Sequence, residues 1–208
     1  MKIYLPVVLL GLLFVIRLQG ADEIRYTHLV ESKPVAMNGL EFVAATEDKW
    51  HGDFGGVVQI RLLIHNTTAQ PMVFPAFDTF RLFVEDASGK RLGSDYGRDH
   101  TAVTKPVMID PGQTYCLCCG GHLWWRGGSS QPDRLTAPGA WAFSFDDGTG
   151  AWNNHSPILP GKYALGFRVE RTAQEPLLSI GGKELPPTLP QWSGDVTTKV
   201  VTFEVVGP

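Results

Sequence analysis

The chain has 208 residues, 43% of them hydrophobic, 11% aromatic and only 19% charged; that is ample material for a core and excludes global disorder. The 18 basic and 21 acidic residues are sparse and mixed, with Lys90-Arg91 the longest basic run, so no face is provided for neutralising nucleic-acid phosphates. Glycine (23) and proline (15) are abundant without any period, which suits many turns between short strands rather than collagen or a linker.

The first element is a leader. Met1-Lys2 precedes an apolar stretch from Ile3 to Ile16, and Arg17-Leu18-Gln19-Gly20-Ala21 ends it with small residues, the pattern of a secretory signal peptide. The apolar stretch is shorter than the roughly 20 residues that a membrane-spanning helix needs. Leu18 or Gln19 at the −3 position makes an imperfect cleavage site, so an uncleaved anchor stands as the alternative. Removing residues 1–20 takes away Lys2 and Arg17 and no acid, which leaves 16 basic and 21 acidic residues and a net charge of −5.

Beyond the leader no helical stripe occurs, and two-residue alternation recurs instead. Val58, Ile60, Leu62 and Ile64 share one face of a segment whose other face holds Gln59, Arg61 and His65. Phe80, Leu82 and Val84 alternate with Arg81, Phe83 and Glu85, and Trp141, Phe143 and Phe145 with Ala142 and Ser144. Tyr163, Leu165, Phe167 and Val169 share a face, as do Val201, Phe203 and Val205. Each pattern fits a strand with one face on a core and the other nearer water.

The punctuation agrees. Asn66-Thr67-Thr68-Ala69-Gln70-Pro71 separates two strands, and Asp86-Ala87-Ser88-Gly89-Lys90 reads as a hairpin turn. Asp110-Pro111-Gly112-Gln113 suits a type II turn with positive φ at Gly112. Strands are expected near 40–46, 57–65, 72–74, 80–85, 90–92, 107–109, 114–119, 141–145, 162–170 and 198–206, of which eight or nine should hold. Residues 120–140, 146–158 and 171–197 read as loops at the sheet ends. The expected fold is all-β: a single antiparallel β-sandwich of about 8–9 strands with long end loops over residues 36–208, behind a signal-peptide helix (1–20) and an extended N-terminal segment (21–35).

Four pieces carry a resemblance: Leu62 to Phe74, Phe80 to Lys90, Ile109 to Thr114, and Leu159-Pro160-Gly161-Lys162-Tyr163 with the strand that follows. There the chain resembles bacterial exported immunoglobulin-like domains, and is similar to the intracellular proteinase inhibitor family and related modules. The resemblance covers about a third of the mature chain and implies an immunoglobulin-like sandwich, with Tyr163 placed as a tyrosine corner. It also implies protease inhibition as one function, although no protruding inhibitory loop can be matched.

Cys116, Cys118, Cys119 and His122 form the sharpest chemical cluster, since thiols and an imidazole can hold Zn²⁺ or Cu⁺. Cys116 and Cys118 should face one side of a strand and Cys119 the other, and a break at Gly120-Gly121 would be needed to fold His122 back. Buried thiols or a disulfide compete with metal. A Cys–His nucleophile pair has no orienting group, and no serine-hydrolase elbow, zinc-protease helix or phosphate loop occurs. Among the six tryptophans, Trp141 reads as core. Trp50, Trp124, Trp125, Trp152 and Trp192 lie in or beside loop-like sequence, where they either cap the core or stack on a ligand such as a sugar. Phe145-Asp146-Asp147-Gly148-Thr149-Gly150 offers carboxylates to Ca²⁺ but equally makes an ordinary turn. Asn66-Thr67-Thr68 and Asn154-His155-Ser156 are glycosylation sequons.

The expectation is therefore an exported non-catalytic protein, secreted or periplasmic, that binds an unknown protein or glycan through its end loops or an exposed sheet face. No catalytic, cofactor or metal residue is assigned, nucleic acid is not a partner, and a membrane is one only if the leader is retained. Protease inhibitor and carbohydrate-binding accessory module are the alternatives.

Overall fold

Alternating apolar residues become the buried faces of the longest strands. A computed structural model describes residues 28–51, 56–76, 79–98, 106–126, 140–146, 150–154, 158–172, 179–180, 183–184 and 188–207. The leader lies outside them. The strands are β1 (Leu29–Glu31), β2 (Val35–Met37), β3 (Leu40–Glu47), β4 (Lys49–His51), β5 (Gly56–Asn66) and β6 (Met72–Pro75). They continue with β7 (Phe80–Asp86), β8 (Ser94–Arg98), β9 (Pro106–Ile109), β10 (Thr114–Arg126), β11 (Ala140–Asp146) and β12 (Gly150–Asn154). The last are β13 (Gly161–Arg171), β14 (Ser179–Ile180), β15 (Lys183–Glu184), β16 (Gly194–Thr197) and β17 (Val201–Val206). The fold is all-β, with no helix among the described residues.

Eight strands form the larger sheet in the order β1-β3-β5-β10-β11-β12-β8, with β2 also on β3. The smaller sheet has five strands: β16 and β17 share one edge of β13, β7 lies on its other edge, and β4 closes the far side of β17. Pairing between strands is antiparallel except for β4 with β17. Two short ribbons, β6–β9 and β14–β15, complete the set.

The two main sheets contribute to one hydrophobic cluster. Phe143 of the larger sheet lies 4.9 Å, ring to ring, from Trp50 of the smaller, and Phe145 lies 6.3 Å from Phe167. Trp50 stacks on Phe203 at 3.9 Å. Such aromatic contacts add about 0.5–1.5 kcal/mol each beyond area burial. The chain passes between the sheets at Asp48, the sole residue separating β3 from β4; its carbonyl accepts from the Glu204 amide at 2.9 Å.

Turn chemistry explains the corners. Gly89 and Gly112 take positive φ, at 81° and 71°. Gln113 N–H donates to the Asp110 carbonyl at 3.0 Å, closing the expected turn. Asp86 Oδ1 accepts from Ser88 N–H (2.8 Å), Ser88 Oγ–H (2.6 Å) and Lys90 N–H (3.1 Å). The Tyr163 hydroxyl donates to the Leu159 carbonyl at 2.9 Å and accepts from its amide at 3.0 Å, tying the strand back to residues four positions upstream.

Several expectations need correction. The strand near 90–92 is a single bridge, Arg91 to Glu85. The strand expected over 198–206 begins only at Val201, because Thr198 turns to β13: its amide donates to the Phe167 carbonyl and its Oγ1 accepts from the Phe167 amide, both at 2.9 Å. The expected loops contain strand: β10 runs on to Arg126, β12 pairs along its whole length with β8, and β16 along its whole length with β13. Asn38 and Gly39, with φ of 48° and 85°, close a two-residue β2–β3 hairpin absent from the expected elements. The segment drawn ahead of the domain includes β1, which pairs with β3. Between β1 and β2 the ladder is kept by Ser32, whose amide donates to the Ala44 carbonyl (2.8 Å) and whose hydroxyl accepts from the Ala44 amide (3.0 Å).

Candidate binding face

Cys116 and His122, the described ends of the cysteine cluster, are not brought together. β10 crosses Gly120-Gly121 without interruption, pairing there with both β5 and β11, so the fold-back of His122 that shared ligation would need does not occur. Cys116 stands opposite Leu63, Cys118 opposite Arg61, Cys119 opposite Ile60, and His122 opposite Val57. Six residues of extended strand separate Cys116 from His122 by roughly 20 Å, too far for shared ligation. No group of three His, Cys, Asp or Glu residues poised to hold a metal occurs among the described residues. Cys116 and His122 are half-buried on the outer side of the sheet, while position 119 has the parity of buried Leu117 and Leu123. The side chains of Cys118 and Cys119 lie outside the description.

Gly121 makes room rather than a break. A Cβ there would sit 2.6 Å from the Phe143 ring and 2.7 Å from Val58. Its neighbour Gly120 faces the other way, exposed, with nothing within 4 Å of an added Cβ.

Two tryptophans considered for ligand stacking are core. Trp50 and Trp192 are fully buried. Trp50 Nε1–H donates to Thr46 Oγ1 at 3.0 Å, and Trp192 Nε1–H to the Met37 carbonyl at 3.0 Å. Trp192 also packs edge-on against Phe42 at 5.2 Å. Trp124, Trp125 and Trp141 sit on paired backbone, with Trp125 opposite Trp141 and Trp124 opposite Ala142. Trp152 is opposite Phe145. The side chains of these four lie outside the description.

Asn66 is no glycosylation acceptor in the folded chain. It is fully buried, and its Nδ2 donates to the carbonyls of Gln70 and Ile109, each at 2.8 Å. Its Oδ1 accepts from Thr68 N–H (2.9 Å) and Thr68 Oγ–H (2.8 Å). The Asn154 side chain and residues 155–156 fall outside the described residues, as do Asp147, Gly148 and Thr149 of the calcium candidate. Asp146 pairs with Ala151, so those residues connect a hairpin.

The register builds one extended surface instead. The backbone register sets Val57, His122, Ser144, Asn153 and Asp95 in one row across β5, β10, β11, β12 and β8, and of these Val57, His122 and Ser144 turn away from the core. The adjacent row is Gln59, Gly120, Asp146, Ala151 and Gly97. Val57 is 61% exposed, and Gln59, His122 and Ser144 are half-buried. Arg61 Nη2–H donates to Gln59 Oε1 at 2.7 Å, which holds the amide in place. Further along the same face, His65 Nδ1 shares a 3.0 Å hydrogen bond with Thr114 Oγ1. Such a face can offer hydrogen bonds but concentrates neither charge sign. The sequence reading missed Gln59, Ser144, Asn153 and Gly120 as a set, because register between strands distant in sequence leaves no local signal.

No family model matches the chain, and no curated protein sequence matches it.

Proposed function

We propose that the chain is an exported, non-catalytic binding module with an immunoglobulin-like β-sandwich fold, working through the outer face of its eight-stranded sheet. The leader over residues 1–20 supports export, by its basic start, short apolar middle and small residues at the exit. The reciprocal hydrogen bonds between the Tyr163 hydroxyl and the Leu159 backbone, the passage between sheets at Asp48 and the aromatic contacts between inner faces support the sandwich.

One observation carries the binding role. Val57, 61% exposed, stands in one row with half-buried His122 and Ser144 across β5, β10 and β11, on the side of the sheet away from the core. Cells making the protein should release a form lacking residues 1–20, read by intact mass. A photo-crosslinking side chain in place of Ser144 should capture a partner that the same group in place of exposed Thr202, on the smaller sheet, does not. Equal capture at both positions, or none, contradicts the reading.

A further inference from the structure

We infer that Asn38-Gly39, at the tip of the β2–β3 hairpin, is a site of spontaneous hydrolytic modification, and that its acidic product frees the hairpin from the segment carrying Trp192. Of the four asparagines only Asn38 precedes a glycine. The chemistry is internal to the turn. The Gly39 backbone nitrogen attacks Cγ of the Asn38 side chain, a C–N bond forms, and Nδ2 leaves as ammonia. Water then opens the five-membered imide at either carbonyl and leaves aspartate or isoaspartate, with no change of oxidation state.

Three features leave this pair open to the reaction. Asn38 is exposed, and the missing side chain of Gly39 leaves its nitrogen unhindered. The turn directs its hydrogen bonds elsewhere: Met37 faces Leu40 across it, and the Gly39 carbonyl accepts from Thr67 N–H and Thr67 Oγ1–H, each at 3.0 Å. No hydrogen bond from the Gly39 amide occurs among the described residues, so none has to break before that nitrogen gives up its proton. Asn66 is the contrast within the same fold. It is fully buried, its amide and its oxygen are both bonded, and the nitrogen that follows it belongs to β-branched Thr67 and already donates to Gly39.

The consequence falls where the hairpin meets the start of β16. Asn38 Nδ2–H donates to the Ser193 carbonyl at 2.7 Å, and the adjoining Trp192 donates through Nε1–H to the Met37 carbonyl at 3.0 Å. Gly194 keeps the contact close, since a Cβ there would stand 3.2 Å from Met37 Cγ and 3.3 Å from Asn38 Nδ2. The Ser193 bond also restrains the reaction, which proceeds from molecules whose exposed Asn38 side chain has left it. Once formed, an ionised carboxylate has no proton to donate, and it sets a charged oxygen against the Ser193 carbonyl in place of a bond. Isoaspartate further lengthens the backbone of a two-residue turn, whose register depends on its length.

The test is incubation of the purified protein at 37 °C from pH 7 to pH 9, followed by peptide mass mapping and an enzymatic isoaspartate assay. Amide-to-acid conversion is expected at Asn38 at least tenfold faster than at Asn66, and faster as pH rises, because the attacking nitrogen must lose its proton. Asn38→Gly, which tolerates the left-handed turn, should yield no isoaspartate in that peptide. Hydrogen exchange across residues 190–194 should rise at least threefold in the aged protein and in Asn38→Asp, whose fold is checked by far-UV circular dichroism. Conversion at Asn38 no faster than at Asn66, or isoaspartate persisting in Asn38→Gly, overturns the site. Conversion that leaves exchange across 190–194 unchanged, in the aged protein and in Asn38→Asp alike, overturns the freeing of the hairpin.

Discussion

Asn66 joins two turns that are distant in sequence: its side chain holds Gln70 and Thr68 of its own turn and the Ile109 carbonyl next to the other, and its backbone pairs with Gly112 and Gln113. Asn66→Ala removes the donor to the buried Ile109 carbonyl and the tie to the Gln70 carbonyl, so a loss of about 1–3 kcal/mol is expected in urea unfolding. Asn66→Asp should also lose stability, because a carboxylate cannot donate to those carbonyls. A loss below about 0.5 kcal/mol for both would contradict the role. The adjacent glycines separate in the same measurement. Gly121→Ala should cost about 1–3 kcal/mol by driving a methyl into Phe143 and Val58. Gly120→Ala meets nothing and should stay within about 0.5 kcal/mol of the parent. The sequence alone read Asn66 as a sequon and the glycine pair as a break; both readings lacked the neighbours that the fold supplies.

At the scale of elements, strands with period-two burial were legible and short ones were not. β5, β7, β11 and β13 follow their apolar alternation, and Asp86–Lys90 and Asp110–Gln113 turn where their glycines allow. β1, β4, β12 and β16 are three to five residues long, too short for a period to stand out, and exist because longer strands offer them an edge. Phe83 shows the limit of alternation. It sits on the outer face yet is largely buried, its ring against Gly166 and under the Arg91 guanidinium at 4.0 Å. Tyr163→Phe deletes both hydrogen bonds to Leu159 and should cost about 1 kcal/mol in urea unfolding without changing the secondary structure. No loss would remove the hydroxyl as a tie.

The Asp86 turn adds a pH dependence. The Ser88 hydroxyl, then the Lys90 amide, hold the Asp86 carboxyl below the usual carboxylate range. A carboxyl lowered in the folded state contributes stability above its unfolded pKa, near 3.9, and loses it as pH falls through the folded value. Asp195 behaves alike, lowered by its hydrogen bond with Arg168. Melting temperature should therefore fall on acidification below about pH 4, and the fall should be shallower for Asp86→Asn. A variant as acid-sensitive as the parent would contradict this.

For the whole molecule, the sequence made an all-β chain with a substantial core legible, because alternation and turn residues are local properties. It did not reveal which strands lie side by side. Only the β5–β10–β11 order places Gln59, His122 and Ser144 on one surface, residues separated by up to 85 positions in the chain. The same order brings Phe143 to Trp50 and Phe145 to Phe167, so the face and the core rest on one registration of the two sheets. Urea unfolding of the mature protein, followed at once by tryptophan fluorescence and far-UV circular dichroism, tests that shared core most directly. Fluorescence from buried Trp50 and Trp192 should change in the same single transition as the strand signal. Two separated transitions, with one sheet melting while the other keeps its tryptophan environment, would contradict it.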